Sequence, residues 1–249
     1  MTKTNYVFKR VEKKFLVTHN TLSAFLADIA PYIKKDDFGQ YTICNIYYDT
    51  VDDRLIRTSI ESPAYKEKLR LRSYGIPNGN NKVFLEIKKK YDGTVYKRRI
   101  SLPLNEAIGY LNGESRPKKD SQILHEIDYF MNIYNPIPKL FIAYDRLAFS
   151  ALDDENLRIT VDSGIRSRDF DLSLCAGDYG EYLLNEDEHL IEIKTGSSLP
   201  LWLTAALTKY AIFPVSFSKY GNIYKQNLKR TKCKRPHTVI GIHKLKEAI

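Results

Sequence analysis

The chain has 249 residues, 43% of them hydrophobic and 28% charged, with a formal net charge of +9. These values describe a soluble globular chain long enough to bury a core, and they exclude fibrous and disordered classes. The excess of cations calls for an anionic partner, whether nucleic acid, phosphorylated metabolite or acidic membrane surface.

In chain order, 7–17 (VFKRVEKKFLV) reads as a strand. A helix follows over about 19–30, capped by Thr18 or Asn20, striped by Leu22, Phe25, Leu26 and Ile29, and ended at Pro31. YTICNIYYDT is a strand that turns at Asp49 to Asp53 into a short helix, DDRLIRTSIES. YKEKLRLRSYG, NKVFLEIKKKY and VYKRRISLP, separated by GIPNGNN and DGT, read as an antiparallel meander. Residues 104–135 are helical, with regular spacing over 121–134. Three more strands follow, PKLFIAYDRLAFSA, NLRITVDSGIRSRD and HLIEIKTGS, broken by LDDE and the polar loop 169–187. LPLWLTAALTKY is a helix with proline in its first turn. VSFSKYGNIYKQNL comes next, and a basic tail from 228 is peripheral. One domain over 1–249, with its core at about 8–227, is the simplest organisation.

No run of about 18 apolar residues exists, so no membrane-spanning helix is expected. The N-terminus MTKTNYVFKRVEKK lacks the apolar segment of a secretory signal. Cys44, Cys175 and Cys233 have no metal-type spacing and predict a reducing, cytoplasmic setting without disulfides. His19, His125, His189, His237 and His243 are scattered and read as surface or cap residues. Trp202 reads as core.

The strands share one phase. In a strand, residues i and i+2 point to the same face. One face thereby collects Arg10, Glu12 and Lys14; Arg70 and Arg72; Glu86, Lys88 and Lys90; Lys97 and Arg99; Tyr144 and Arg146; Arg158 and Asp162; Glu192 and Lys194. The other face collects Leu69, Leu71, Leu85, Ile87, Ile159, Val161, Ile191 and Ile193. Helices 19–30, 121–134 and 200–211 need that apolar face, so the charged face turns away from them. A solvated sheet face is the simple alternative. Like charges opposed on neighbouring strands are destabilising, however, and a bound polyanion supplies the reason for them. At least seven strands are enough to close a barrel around phosphates, which accept several charge-assisted hydrogen bonds. Glu192, Glu86 and Glu12 are then either ligands of Mn2+ or Mg2+ alongside phosphate oxygens, or partners of cross-strand cations.

RVEKKFLV resembles the first-strand element of the triphosphate tunnel metalloenzymes. With KLRLRSYG, FLEIKKK, YKRRI, AYDRLAF, LRITVD, LIEIKTG and FSKYGNIY, the chain over about 8–227 resembles the polyphosphate polymerase domain of the vacuolar transporter chaperone (VTC) complex. The resemblance implies an α+β fold: an antiparallel β-barrel, the triphosphate tunnel, with helices packed outside. It implies an ATP:polyphosphate phosphotransferase that moves the ATP γ-phosphate onto inorganic polyphosphate with Mn2+ or Mg2+. By position, Lys14, Arg70, Arg72, Lys88, Lys97, Arg146, Arg158 and Lys219 would act on triphosphate or product. Tyr144, Ser218, Arg99 and Lys194 would bind substrate. Glu192 would hold the metal, with Glu86 and Glu12 as further candidates.

The first strand departs from the wider tunnel pattern, because Arg10 stands where a first glutamate would be. Fewer carboxylates favour the polymerase over the triphosphatase or cyclase branches. The alternatives are a triphosphatase of the same fold and a non-catalytic polyphosphate-binding domain. ATP and polyphosphate are the expected partners and nucleic acid is not, since the cations sit on alternating strands. No phosphate-sensing domain or membrane segment is expected in this chain, and a membrane-protein partner is left open.

Overall fold

A computed structural model describes residues 11–92, 94–118, 120–196 and 198–233. Arg10 and the start of the first expected strand lie outside the described residues, as do His237, His243 and the tail from 234. The long strands are β1 (Val11–Thr18), β2 (Ile33–Asp49), β3 (Tyr65–Tyr74), β4 (Lys82–Tyr91), β5 (Thr94–Pro103), β6 (Ile137–Ala151) and β7 (Arg158–Arg168). The two-residue β8 (Glu181–Tyr182) lies within the expected polar loop, and β9 (Glu188–Thr195) follows it. The helices are α1 (His19–Ile29), α2 (Arg54–Ile60), α3 (Leu104–Leu111), α4 (Gln122–Tyr134), α5 (Leu201–Lys209) and α6 (Lys219–Cys233). Among the described residues no helix is long and apolar enough to cross a membrane.

All described strands belong to one sheet of order β1-β9-β7-β6-β2-β3-β4-β5, with β8 on β7, and every pairing is antiparallel. The sheet curls into a tunnel. Lys219 at the start of α6 reaches Asp162 of β7 and Glu192 of β9, while the Tyr220 ring beside it meets Tyr47 of β2 at 5.1 Å and lies 6.0 Å from Lys68 of β3, so strands distant in the order face one another. The α+β tunnel with outer helices expected from the sequence is therefore the observed architecture.

The helix-seating face is the apolar one. α1 and α5 cover the outside of β1, β9 and β7, burying Leu22, Phe25 and Leu203 against Phe15, Ile159, Ile191 and Ile193. α3 and α4 cover β3–β5, burying Ala107, Leu124, Ile127 and Phe130 against Leu69, Leu85 and Ile87. Thr18 caps α1 by accepting from the Thr21 N–H, and Ser121 caps α4 through the Leu124 N–H. Trp202 is core-side as expected, stacked on Tyr32 at 4.8 Å. His189, expected at the surface, is instead buried: its Nε2 lies 3.4 Å from His19 Nδ1 and its Nδ1 2.9 Å from Ser163 Oγ.

α6 does something different. Its Tyr220 and Ile223 pack on Ile43, Ile142, Tyr144 and Leu190, residues in phase with the charged face. This helix therefore enters the tunnel rather than cladding it. The fully buried Asp49, at the end of β2, holds it there. Asp49 accepts from the N–H groups of Leu55 and Ile56 at 2.8 and 2.9 Å, and from the Tyr220 hydroxyl at 3.1 Å. One carboxylate thus starts α2 and tethers α6. Asp49→Ala should cost about 2–4 kcal/mol, since buried donors lose a charged acceptor. Urea unfolding would read it, and a loss below 1 kcal/mol would refute the tether.

A bulge decides which arginines reach the lumen. Gly164 has φ of 53°, where the β6–β7 register slips between Ala143 and Asp145. Before it, Arg158 and Asp162 share the lumen phase. After it, Ile165 joins the inner cluster. Arg166 then pairs with Asp145 at 3.0 Å and Arg168 lies on the Phe141 ring at 3.6 Å, both outside the tunnel.

Candidate active site

The lumen carries two anionic hubs. In the first, the fully buried Asp162 meets Arg146 Nε at 2.6 Å and Lys219 Nζ at 2.5 Å. Glu192, on the neighbouring strand, shares both cations, with Arg146 and Lys219 each at 3.2 Å. Lys14 and Lys194 approach Glu192 at 3.5 and 3.6 Å. Burial pushes the Glu192 carboxyl up, but Lys219, Lys14, Lys194 and Arg146 hold it well below the usual range. Burial lowers Lys219, and Asp162 and Glu192 overcome that and raise it.

The second hub is Glu86, also fully buried. Arg70 reaches it at 2.6 Å, Lys97 at 3.0 Å and Arg72 at 3.7 Å. The Lys97 approach to Oε1 is an ion pair without hydrogen-bond alignment. Burial raises the Glu86 carboxyl, yet Arg70, Arg72 and Lys97 hold it at about 2. Arg72 also donates to Asn45 Oδ1 at 2.9 Å and to the Tyr144 hydroxyl at 3.3 Å. The Tyr144 ring lies under Lys219 at 4.5 Å and Arg146 at 5.1 Å, so it joins the two hubs.

The remaining expected residues sit around this centre. Lys14 donates to the Phe217 carbonyl at 2.9 Å, fixing the chain that leads into α6, and Ser218 caps α6 through the Gly221 N–H. Glu12 lies 3.4 Å from Lys14 and 4.0 Å from Lys194. Arg158 is at the rim, paired with Asp36 at 2.5 Å. Lys88 faces Lys97 and Lys68 across the β4 registers. Arg99 lies over the Phe84 ring at 4.9 Å. Among the described residues, Lys68, Lys88 and Arg99 have no carboxylate within ion-pair distance. So the β1, β9, β7 and β6 wall is internally neutralised, while the β3–β5 wall keeps free cations.

Sequence reasoning missed Asp162 as a hub, although its phase with Arg158 marked it as inward. It also missed Lys68 and Tyr47. The Tyr47 hydroxyl accepts from Arg70 Nη1 at 2.9 Å. Burial raises this phenol, but Arg70, Arg72 and Lys68 bring it down to about 8. Burial lowers Lys68 to about 8 as well, and Lys97 shifts the same way for the same first cause. As pH rises through that value, the ammonium loses its charge and the phenol gains a negative one, so both changes weaken anion binding. Tripolyphosphate affinity should fall about tenfold between pH 7 and 9. Calorimetric titration at both pH values tests this, and equal affinities would contradict the assignment.

The profile of the VTC domain matches residues 9–227. The chain belongs to the VTC domain family. No curated protein sequence matches it. Among solved structures, this VTC domain is similar to a candidate adenylyl cyclase from Hippeastrum, described as having a dominant triphosphatase activity. The TM-score is 0.53 at 15% identity, covering 87% of this chain and 96% of that one. A candidate adenylate cyclase from Bacillus halodurans is alike at a TM-score of 0.52 and 15% identity, with 84% and 93% covered. These likenesses show the tunnel fold.

Proposed function

We propose that this VTC domain is a polyphosphate polymerase that transfers the γ-phosphate of ATP to a growing polyphosphate chain. The observation that carries the reading is the division of the lumen into a neutralised wall and a wall of free cations. Lys68, Lys88 and Arg99 offer uncompensated charge to an anion, and to an extended one, because they sit on three successive strands.

In the transfer, a terminal oxygen of the acceptor chain forms a bond to the γ-phosphorus, the bond to the bridging oxygen breaks, and ADP departs. Arg70 and Arg72, held by Glu86, present guanidinium groups to the triphosphate, and Tyr144 donates to a phosphate oxygen. Arg146 and Lys219 shift from Asp162 and Glu192 toward charge developing on the transferred group. Lys14 and Lys97 bind beside them, with Arg158, Arg99 and Lys194 toward the rim. Ser218 orients α6 so that Lys219 enters the lumen.

Among the described residues no group of three or more His, Cys, Asp or Glu suits a metal by itself. Glu192, with Glu12 beside it on β1, supplies the one or two hard carboxylate oxygens that Mn2+ or Mg2+ takes when phosphates complete its shell. These residues fit such an ion, which would neutralise phosphate charge when bound. Glu86, whose side chain is 1% exposed against 9% for Glu192, serves better as an anchor for Arg70 and Arg72.

The test is incubation with ATP and Mn2+ followed by gel analysis. Long phosphate chains are expected. Orthophosphate alone would make the protein a triphosphatase, and anion binding without nucleotide consumption would make it a binding domain.

A further inference from the structure

Three aromatic rings stand at the end of the phosphate-binding rows. Tyr74 follows Arg70 and Arg72 in phase on β3, Phe84 stands one step beyond Glu86 on β4, and Tyr41 lies at the start of the lumen-facing run of β2. Tyr74 meets Tyr41 at 5.7 Å and Phe84 at 5.5 Å, both edge to face. The Arg99 guanidinium covers Phe84 at 4.9 Å. Tyr74 and Phe84 belong to none of the three buried cores, and Tyr74 is 48% exposed.

These rings do nothing for a phosphate chain. A tunnel that took only inorganic phosphate would end in more cations or in water. A half-exposed aromatic group beside a stacked arginine is instead the surface on which a flat, uncharged heterocycle sits. The spacing agrees: Tyr74 lies one two-residue strand step, about 6.7 Å, past Arg72. A sugar spans such a step between an α-phosphate held at Arg72 and a base at Tyr74.

We propose that Tyr74, Phe84 and Arg99 form a nucleobase platform that makes the tunnel select nucleoside triphosphates over inorganic triphosphate. The inference rests on the reading of the lumen as a triphosphate site and names its substrate class. Tyr74 and Phe84 carry no charge and act on the base alone, so loss of Tyr74 separates nucleotide from triphosphate binding.

Calorimetry on the full chain with the β,γ-imido analogue of ATP and with inorganic tripolyphosphate, each with Mg2+, tests it. Tyr74→Leu should weaken the nucleotide analogue about tenfold and tripolyphosphate less than about twofold, and Tyr74→Phe should restore the nucleotide. Equal weakening of both ligands, or of neither, would overturn the platform while leaving the triphosphate site standing. Failure of the unmodified protein to bind either ligand would remove both. Photolabelling of the unmodified protein with 8-azido-ATP needs no variant. Label on the peptide spanning Tyr74 and Phe84 supports the platform, and label confined elsewhere overturns it.

Discussion

Glu192→Gln should reduce metal-dependent phosphoryl transfer by more than about a hundredfold, while tripolyphosphate still binds without metal at least as tightly as before. The first part follows from removing the anionic oxygen suited to Mn2+ or Mg2+. The second follows from the surroundings, since Lys219, Lys14, Lys194 and Arg146 all lie within 3.6 Å of that carboxylate. Neutralising it takes one carboxylate away from four cations, which keep only Asp162 or Glu12, and so leaves more positive charge for an incoming anion. The split between activity and affinity is the diagnostic result. A rate assay with Mn2+ and a metal-free titration measure the two halves, and retained transfer would take Glu192 out of the metal role.

Asp162→Asn should lower the stability of the empty protein by about 3–5 kcal/mol, the cost of breaking a buried ion pair and leaving Arg146 and Lys219 only the more distant Glu192. Arg146 and Lys219 have side-chain exposures of 11% and 9%, so water cannot take over from the carboxylate. A bound polyanion can. Tripolyphosphate should therefore raise the melting temperature of the variant more than that of the parent protein. Thermal unfolding with and without the ligand gives both numbers, and equal ligand shifts would show that phosphate does not reach the Asp162 hub.

Much of this site is written in the two-residue phase of the strands. Arg70, Arg72, Glu86, Arg146 and Glu192 all reach the lumen because strand alternation is a local property that each short segment carries by itself. Asp162 had the same phase, but its weight as a hub comes from Lys219, far along the chain, and no local pattern announces that meeting. α6 is a second case. Its apolar stripe is carried by Tyr220, Ile223 and Tyr224 among many polar residues, so the pattern alone assigned the segment no element; the packing partners that stabilise it lie inside the tunnel. The bulge at Gly164 is a third. Without it, Arg166 and Arg168 would continue the cationic row, and only the backbone shows that they do not.

The unpaired rim of the sheet has a consequence for life in concentrated solution. β5 ends the strand order, and its Tyr96, Lys97 and Arg99 are exposed, with Arg98 between the two cations. A free strand edge invites another chain to add to it. Three consecutive cations repel an identical edge laid alongside, so two copies cannot zip together there. On the far side, β1 is partly covered from within the chain, where Val215 N–H bonds to the Lys14 carbonyl and Phe15 bridges Pro214. Charge guards one border of the sheet and backbone the other. Lys97 and Arg99 therefore have a second duty, as gatekeepers against aggregation. Removing their charge should make the protein prone to self-association even where phosphate binding survives.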